Sequence, residues 1–282
     1  MTIAVALKVG DGVVLGADSA STLADPNSVI NVYFNAEKVF NLVKGLPIGF
    51  VTYGLGGLAG RSVVSLAKDL REQLTDRGGK RGLDKSKYTV EEVANHLRDF
   101  FYDDYYVKSF PIKVRDANGN EVDRFAPMGF LIAGFSAHER QAEVWEVSID
   151  DAGKSPPPSQ IFGPKQLDGA VWRGQPEALT RLMGGWSTAV AEFLITKAGV
   201  PQPDALRVLN SLPVDRLFHS AMPLQDAIDL VKYMVEVTIG FVRFSPGPPT
   251  VHEPVDVAAI NFHEGFRWVL RKHYYKPELN PG

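Results

Sequence analysis

Four short runs in the first 55 residues, 3–8, 13–17, 39–43 and 47–53, are apolar at nearly every position. A strand with one wet face alternates apolar and polar residues, whereas a strand covered on both faces does not need to. A chain that opens this way must therefore stack its sheets against further layers. The runs come in pairs. Gly10-Asp11-Gly12 separates the first two and Lys44-Gly45 the second two, both in the manner of hairpin turns.

Helices follow. Residues 62–74 place Val63, Val64, Leu66, Ala67, Leu70 and Leu74 at helical spacing. The basic, glycine-containing stretch 75–87, with Lys80-Arg81 and Lys85, reads as a solvated loop. Thr89-Val90-Glu91-Glu92 forms a capping box, and the helix it opens is predicted to run to about residue 106. Residues 108–123, centred on Asp116-Ala117-Asn118-Gly119-Asn120, read as an inserted, protruding hairpin. Strands are predicted at 128–135, 141–149 and 170–172, after the rigid Pro156-Pro157-Pro158 stretch. A helix over 176–198 is weakened at Gly184-Gly185, and the proline-bearing segment 200–222 reads as irregular. A long helix over 223–244, closing strands at 255–261 and 266–270, and a loose tail at 276–282 complete the chain. No linker divides these elements and no repeat of 20–50 residues recurs. The expectation is a single α+β domain, residues 1–282, built as a four-layer αββα sandwich of two stacked antiparallel sheets flanked by helix pairs.

Composition narrows the function. Thirty Lys+Arg against 33 Asp+Glu give a net charge of −3, which argues against a nucleic-acid binder. The absence of cysteine excludes disulfides, thiolate metal sites and a cysteine nucleophile. The six histidines include no HxxxH or HxH spacing, so a zinc site has no motif behind it. No apolar run approaches the ~20 residues that span a bilayer, and Lys8 interrupts the first run too early for a signal peptide. No membrane partner is expected, and the expected compartment is the cytoplasm.

The chemistry concentrates at the beginning. Removal of Met1 would make Thr2 the N-terminal residue, with a nucleophilic hydroxyl and a basic α-amine of pKa ~7.7–8.0 in one residue. If the Gly10–Gly12 turn has three residues, Asp18 faces Ala4 and shares a face with Thr2; a two-residue turn puts it on the other face. Lys38 stands in an apolar context before Val39-Phe40. A desolvated lysine there needs a carboxylate such as Asp18 to stay charged, and beside a hydroxyl it lowers the cost of an alkoxide. Taken singly, each has a bland reading: Thr2 as the residue after the start, Asp18 as a turn former before Ser19, Lys38 as a surface lysine.

Residues 1–18 (MTIAVALKVGDGVVLGAD), followed by Ser19, resemble the opening of proteasome β subunits and their bacterial relatives, the N-terminal-nucleophile (Ntn) hydrolases. The likeness continues through Glu37-Lys38-Val39-Phe40 and the glycine-rich Gly54-Leu55-Gly56-Gly57, with weaker echoes at 128–134 and 144–151; the best-matching stretch is roughly the first quarter of the chain. The resemblance implies an αββα fold and a threonine-type hydrolase that forms an acyl-enzyme on Thr2. In it, Asp18 pairs with Lys38, and the backbone N–H of Gly54, or of Gly56 if the segment slips, faces the oxyanion. It implies no metal or organic cofactor, a peptide or amide substrate, self-assembly into rings, and room for an unfoldase partner.

The chain also departs from the family. Arg173 stands where a serine is expected in a Gly-Ser-Gly turn, and residues 244–254 offer only Ser245, His252 and Glu253 in place of an Asp…Ser pair. A catalytically silent ring or scaffold protein, and an amidase for small molecules, are the alternatives. Phe100, Phe101, Tyr102, Tyr105 and Tyr106 crowd one helix end; on regular helical winding they point around most of its circumference, so some are predicted to meet another subunit.

Overall fold

The structure is a computed structural model that describes residues 2–24, 29–116, 118–214 and 216–272. Ten strands carry its two main sheets: β1 (Ile3–Val9), β2 (Gly12–Ala17), β3 (Val39–Asn41), β4 (Ile48–Gly54), β5 (Met128–Gly134), β6 (Glu143–Ile149), β7 (Ser159–Phe162), β8 (Gly169–Gly174), β9 (Asp256–Asn261) and β10 (Gly265–Leu270). The first sheet runs β8-β1-β2-β9-β10 and the second β7-β6-β5-β4-β3, with antiparallel pairing throughout. The helices are α1 (Val63–Thr75), α2 (Val90–Arg98), α3 (Glu177–Gly184), α4 (Thr188–Thr196), α5 (Gln202–Leu209) and α6 (Leu224–Phe244). The chain is thus a mixed α+β protein.

The non-alternating strands are explained by what covers them. One face of β1, β2 and β9 (Ala4, Ala6, Leu15, Ala258) packs against one face of the second sheet (Val51, Leu131, Val144). Their other face (Ile3, Val5, Leu7, Val14, Val257) meets Val231, Met234 and Val235 of α6. The far face of the second sheet (Phe50, Phe130, Ile132) meets Leu66 and Leu70 of α1 and Val93 and Leu97 of α2. Each large aliphatic or aromatic side chain buried this way contributes ~1.5–3 kcal/mol. Ser62 and Thr89 cap α1 and α2, their hydroxyls accepting from Ser65 N (3.2 Å) and Glu92 N (3.0 Å).

Several sequence expectations are corrected. The single helix over 176–198 is two, because Gly185 adopts φ +73° and ends α3 there. The segment 200–222 contains α5. Unforeseen elements include β7, a short hairpin of Ser21–Ala24 with Val29–Tyr33, and a smaller one of Gly57–Leu58 with Arg61–Ser62. The inserted hairpin pairs Ile112–Arg115 with Glu121–Arg124; the tail 276–282 lies outside the described residues. Arg81 is not a loop cation in solvent: it is buried, bonded to Asp104 and Gln73, and lies over the Phe100 ring.

The aromatic cluster differs most. After α2 the chain widens into a π-helical turn over Asp99–Tyr106, whose i→i+5 winding brings Phe101 and Tyr106 to the same side. Phe100, Phe101 and Tyr106 are fully buried, and Tyr102 and Tyr105 are half-buried against the same core. Tyr102 and Tyr106 hydroxyls donate to the carbonyls of Gly153 and Ala126, both at 3.1 Å. These rings are therefore taken up by the chain's own core and do not need a second subunit to cover them. Among the described residues no helix is long and apolar enough to cross a membrane.

Phe101→Ala is expected to cost ~3–5 kcal/mol in urea unfolding through the cavity it leaves. Phe244→Ala, on a side chain 83% exposed, is expected to stay within ~0.5 kcal/mol.

Candidate active site

β1 and β2 pair Ala4 with Ala17 and Val9 with Gly12, so of the two turn lengths open to the sequence Gly10-Asp11 takes the two-residue one. Strict alternation in this register would turn Asp18 away from the face of Thr2. Alternation ends first, because Ala17 is the last residue of β2 and Asp18 lies beyond the ladder. Its carboxylate is placed by donors rather than by the pleat. Oδ1 accepts from Ile3 N (3.0 Å) and Lys38 Nζ (2.6 Å), and Oδ2 from Ala20 N (2.8 Å) and His252 N (3.2 Å).

Lys38 immediately precedes β3 and is tied to the sheet through its carbonyl, which accepts from Thr52 N at 2.9 Å. Its ammonium and the Asp18 carboxylate are both buried. Burial pushes the Lys38 proton affinity below the ordinary lysine value, and the Asp18 charge and hydrogen bond only partly offset it. The oxygen that holds Lys38 also accepts from Ile3 N, the amide that follows Thr2, so the backbone beside Thr2 and the Lys38 ammonium share one acceptor. Both line one cavity of about 340 Å³, together with Thr52, Gly54, Gly56 and Val63.

Two glycines permit close backbone approach here, Gly54 in the cavity wall and Gly174 against the Thr2 backbone. Gly54 has φ +83°, and a Cβ there would stand 2.4 Å from the Pro127 carbonyl oxygen. Thr52 N donates toward Lys38, so alternation aims the Gly54 N–H at the same edge, beyond the start of β3. Gly174 has φ +96°, and its Cβ would fall 1.9 Å from the Thr2 carbonyl oxygen. Only a glycine lets the end of β8 pass there and Gln175 N donate to Thr2 O at 2.7 Å.

Arg173 lies on β8 opposite Ala4 and pairs across to the second sheet, its Nε and Nη2 reaching Glu146 Oε1 and Oε2 at 2.6 and 2.7 Å. The Tyr53 hydroxyl donates to the same carboxylate at 2.6 Å. Burial opposes ionisation of Glu146, yet the Arg173 and Tyr53 hydrogen bonds hold it below the usual carboxylate value. Burial, and then the Glu146 charge, push the Tyr53 phenol well up. Tyr53 also lines the Thr2 cavity.

The remaining candidates play other parts. Ser245 bonds back to Phe241 O at the end of α6. His252 serves through its backbone N–H on Asp18, and its exposed ring packs on Phe34 with centroids 4.2 Å apart. Glu253 is exposed. Met1 lies outside the described residues. Sequence reasoning missed Tyr53, Glu146 and Gly174. The signal for Glu146 was a charge inside the apolar run Val144-Trp145-Glu146-Val147.

Neither protein-family models nor curated proteins give a match to this chain.

Lys38→Ala strands a buried carboxylate and is expected to cost ~3–5 kcal/mol in denaturant unfolding. The double variant Asp18→Asn/Lys38→Met is expected to recover much of that loss, because no uncompensated charge remains.

Proposed function

We propose that this protein is an N-terminal threonine hydrolase of the proteasome β-subunit type, cleaving peptide or amide bonds through an acyl-enzyme on Thr2. The observation that carries the reading is the buried Asp18–Lys38 pair beside Thr2, with Lys38, Thr2 and Gly54 on one cavity. The packing order supports it as well: α1 and α2, the second sheet, the first sheet and α6 follow one another as in an αββα Ntn sandwich.

The chemistry follows from these groups. Removal of Met1 frees the Thr2 amine. The Thr2 hydroxyl attacks the substrate carbonyl carbon while its proton passes to that amine. The Lys38 ammonium lowers the cost of the developing alkoxide, and the Gly54 N–H receives the oxyanion. Collapse breaks the C–N bond, and the amine returns the proton to the leaving nitrogen. Water then cleaves the ester, releasing acid and free Thr2.

A second reading, a catalytically silent relative, is favoured by one observation. Arg173 stands where the family has its serine, and its guanidinium is committed to Glu146 rather than to the Thr2 amine. Intact mass and an epoxyketone probe separate the two. The hydrolase is expected to lack Met1, to gain one probe adduct on Thr2, and to lose both adduct and fluorogenic-peptide turnover in Thr2→Ala. A retained Met1 with no adduct favours the silent reading. Undiminished turnover in Thr2→Ala excludes the mechanism.

Self-assembly comes with this reading. Exposed apolar side chains available to serve it include Val190, Phe193 and Val208 of α4 and α5 and Phe244 at the end of α6, whereas the rings after α2 are spent on the chain's own core. Light scattering at micromolar concentration is expected to give a mass several times the 30.9 kDa of one chain, and a clean single-chain mass would remove the assembly.

A further inference from the structure

A second buried ion pair lies against the first. Asp256 opens β9 opposite Ala17, the residue before Asp18, and is 1% exposed. The Lys272 ammonium bonds Asp256 Oδ2, and the Lys272 backbone N–H donates to Asp256 Oδ1 at 3.1 Å. The same ammonium donates to Ser19 Oγ at 2.6 Å, and Ser19 Oγ donates in turn to the Pro254 carbonyl. Ser19 is the chain neighbour of Asp18, and its backbone is also held, its N–H donating to His252 O at 2.9 Å. Neither Asp256 nor Lys272 lines the Thr2 cavity.

We propose that Asp256–Lys272 is the positioning pair of the Thr2 site: through Ser19 it fixes the Asp18 segment, and through its charges it sets how tightly Lys38 holds its proton. The structural half rests on the hydrogen bonds above. The electrostatic half rests on position: Asp256 lies across the ladder from Ala17 and Lys272 bonds Ser19, so both charges stand beside the residue whose carboxylate holds Lys38. The carboxylates of Asp18 and Asp256 strengthen its proton affinity and the Lys272 ammonium weakens it. Glu37, its chain neighbour, is turned to Arg271 at 3.6 Å. In a buried setting such charges act across several ångströms with little screening. The catalytic consequence rests on the Thr2 reading, in which Lys38 works as an ammonium and its deprotonation ends activity on the alkaline side.

The charges give the test opposite signs. Asp256→Asn is isosteric and leaves Lys272 unneutralised, so the Lys38 pKa is expected to fall by about one unit. Lys272→Met leaves Asp256 unneutralised, so the Lys38 pKa is expected to rise by about as much. Lys272→Arg retains the charge and is expected to titrate near the parent. NMR titration of 13Cε-labelled lysine reads this directly, with the Lys38 signal assigned by its loss in Lys38→Arg. A role in packing alone would give no shift, or shifts of one sign, and either outcome overturns the proposal. Asp256→Asn by itself decides the matter if Lys272→Met does not fold: a rise or no change overturns it. The alkaline limb of kcat/KM on a fluorogenic peptide is expected to move with the NMR value. Opposite NMR shifts in a protein whose Thr2→Ala variant keeps full turnover would sustain the pair and remove the Thr2 reading.

Discussion

A carboxylate with no access to water organises one end of this molecule. Asp18 receives donors from the start of β1, the chain after β2, the residue before β3 and the approach to β9. Burying a carboxylate costs several kcal/mol unless its lone pairs are filled, so the fold must bring these four segments to one point. Thr2 is fixed as a consequence. Its neighbour Ile3 donates to Asp18, and its carbonyl is held from the other side by Gln175 past the bare backbone of Gly174.

The two sheets make this meeting possible by facing each other through small residues. Ala4, Ala6, Ala17, Ala133 and Ala258 line the shared core, and stacked sheets stand ~10 Å apart. Near Thr2 that gap is bridged by the Arg173–Glu146 pair with the Tyr53 hydroxyl rather than by alkyl side chains. A bidentate guanidinium–carboxylate contact is directional, so it sets the lateral position of β8 over β6 in a way that apolar packing does not. The cavity wall at Tyr53 inherits that position.

The elements that were legible in the sequence are those whose reason is local. β1, β2 and β4 announced themselves by runs apolar at nearly every position, α1 by its spacing and α2 by its capping box. What depends on partners far along the chain was not legible. Gly10-Asp11-Gly12 permits two turn lengths, and β2's pairing with β9, more than 230 residues on, is settled together with the choice. The π turn after α2 depends on how Phe101 and Tyr106 fit a core built from other strands. Arg81 reads as a loop cation until Asp104 and Phe100 are folded onto it. The site shows the same division. Thr2, Asp18, Lys38 and Gly54 lie in the early stretch that resembles a known family, whereas Asp256 and Lys272 acquire meaning only when β9 lies beside β2.

Stability alone does not account for two buried ion pairs at one sheet end. A buried pair replaced by apolar side chains of like volume is often neutral, or more stable by ~1–4 kcal/mol, because the desolvation cost disappears. Elsewhere the same sheets fill their interior with alanine, valine and leucine. Where Ile3, Ser19, Lys38 and Thr2 converge, two buried ion pairs stand side by side, and in the proposed hydrolase they serve an electrostatic need that hydrocarbon cannot meet. A threonine hydroxyl asked to become an alkoxide has such a need: a positive charge close by, desolvated enough to act strongly, yet balanced so that it keeps its proton at working pH. Burial loosens the hold on that proton, and Asp18 offsets only part of the loss. Lys272 beyond it weakens the hold and Asp256 restores part of it, so the surplus of packing cost at this end of the sheet has an account in the tuning of a single lysine.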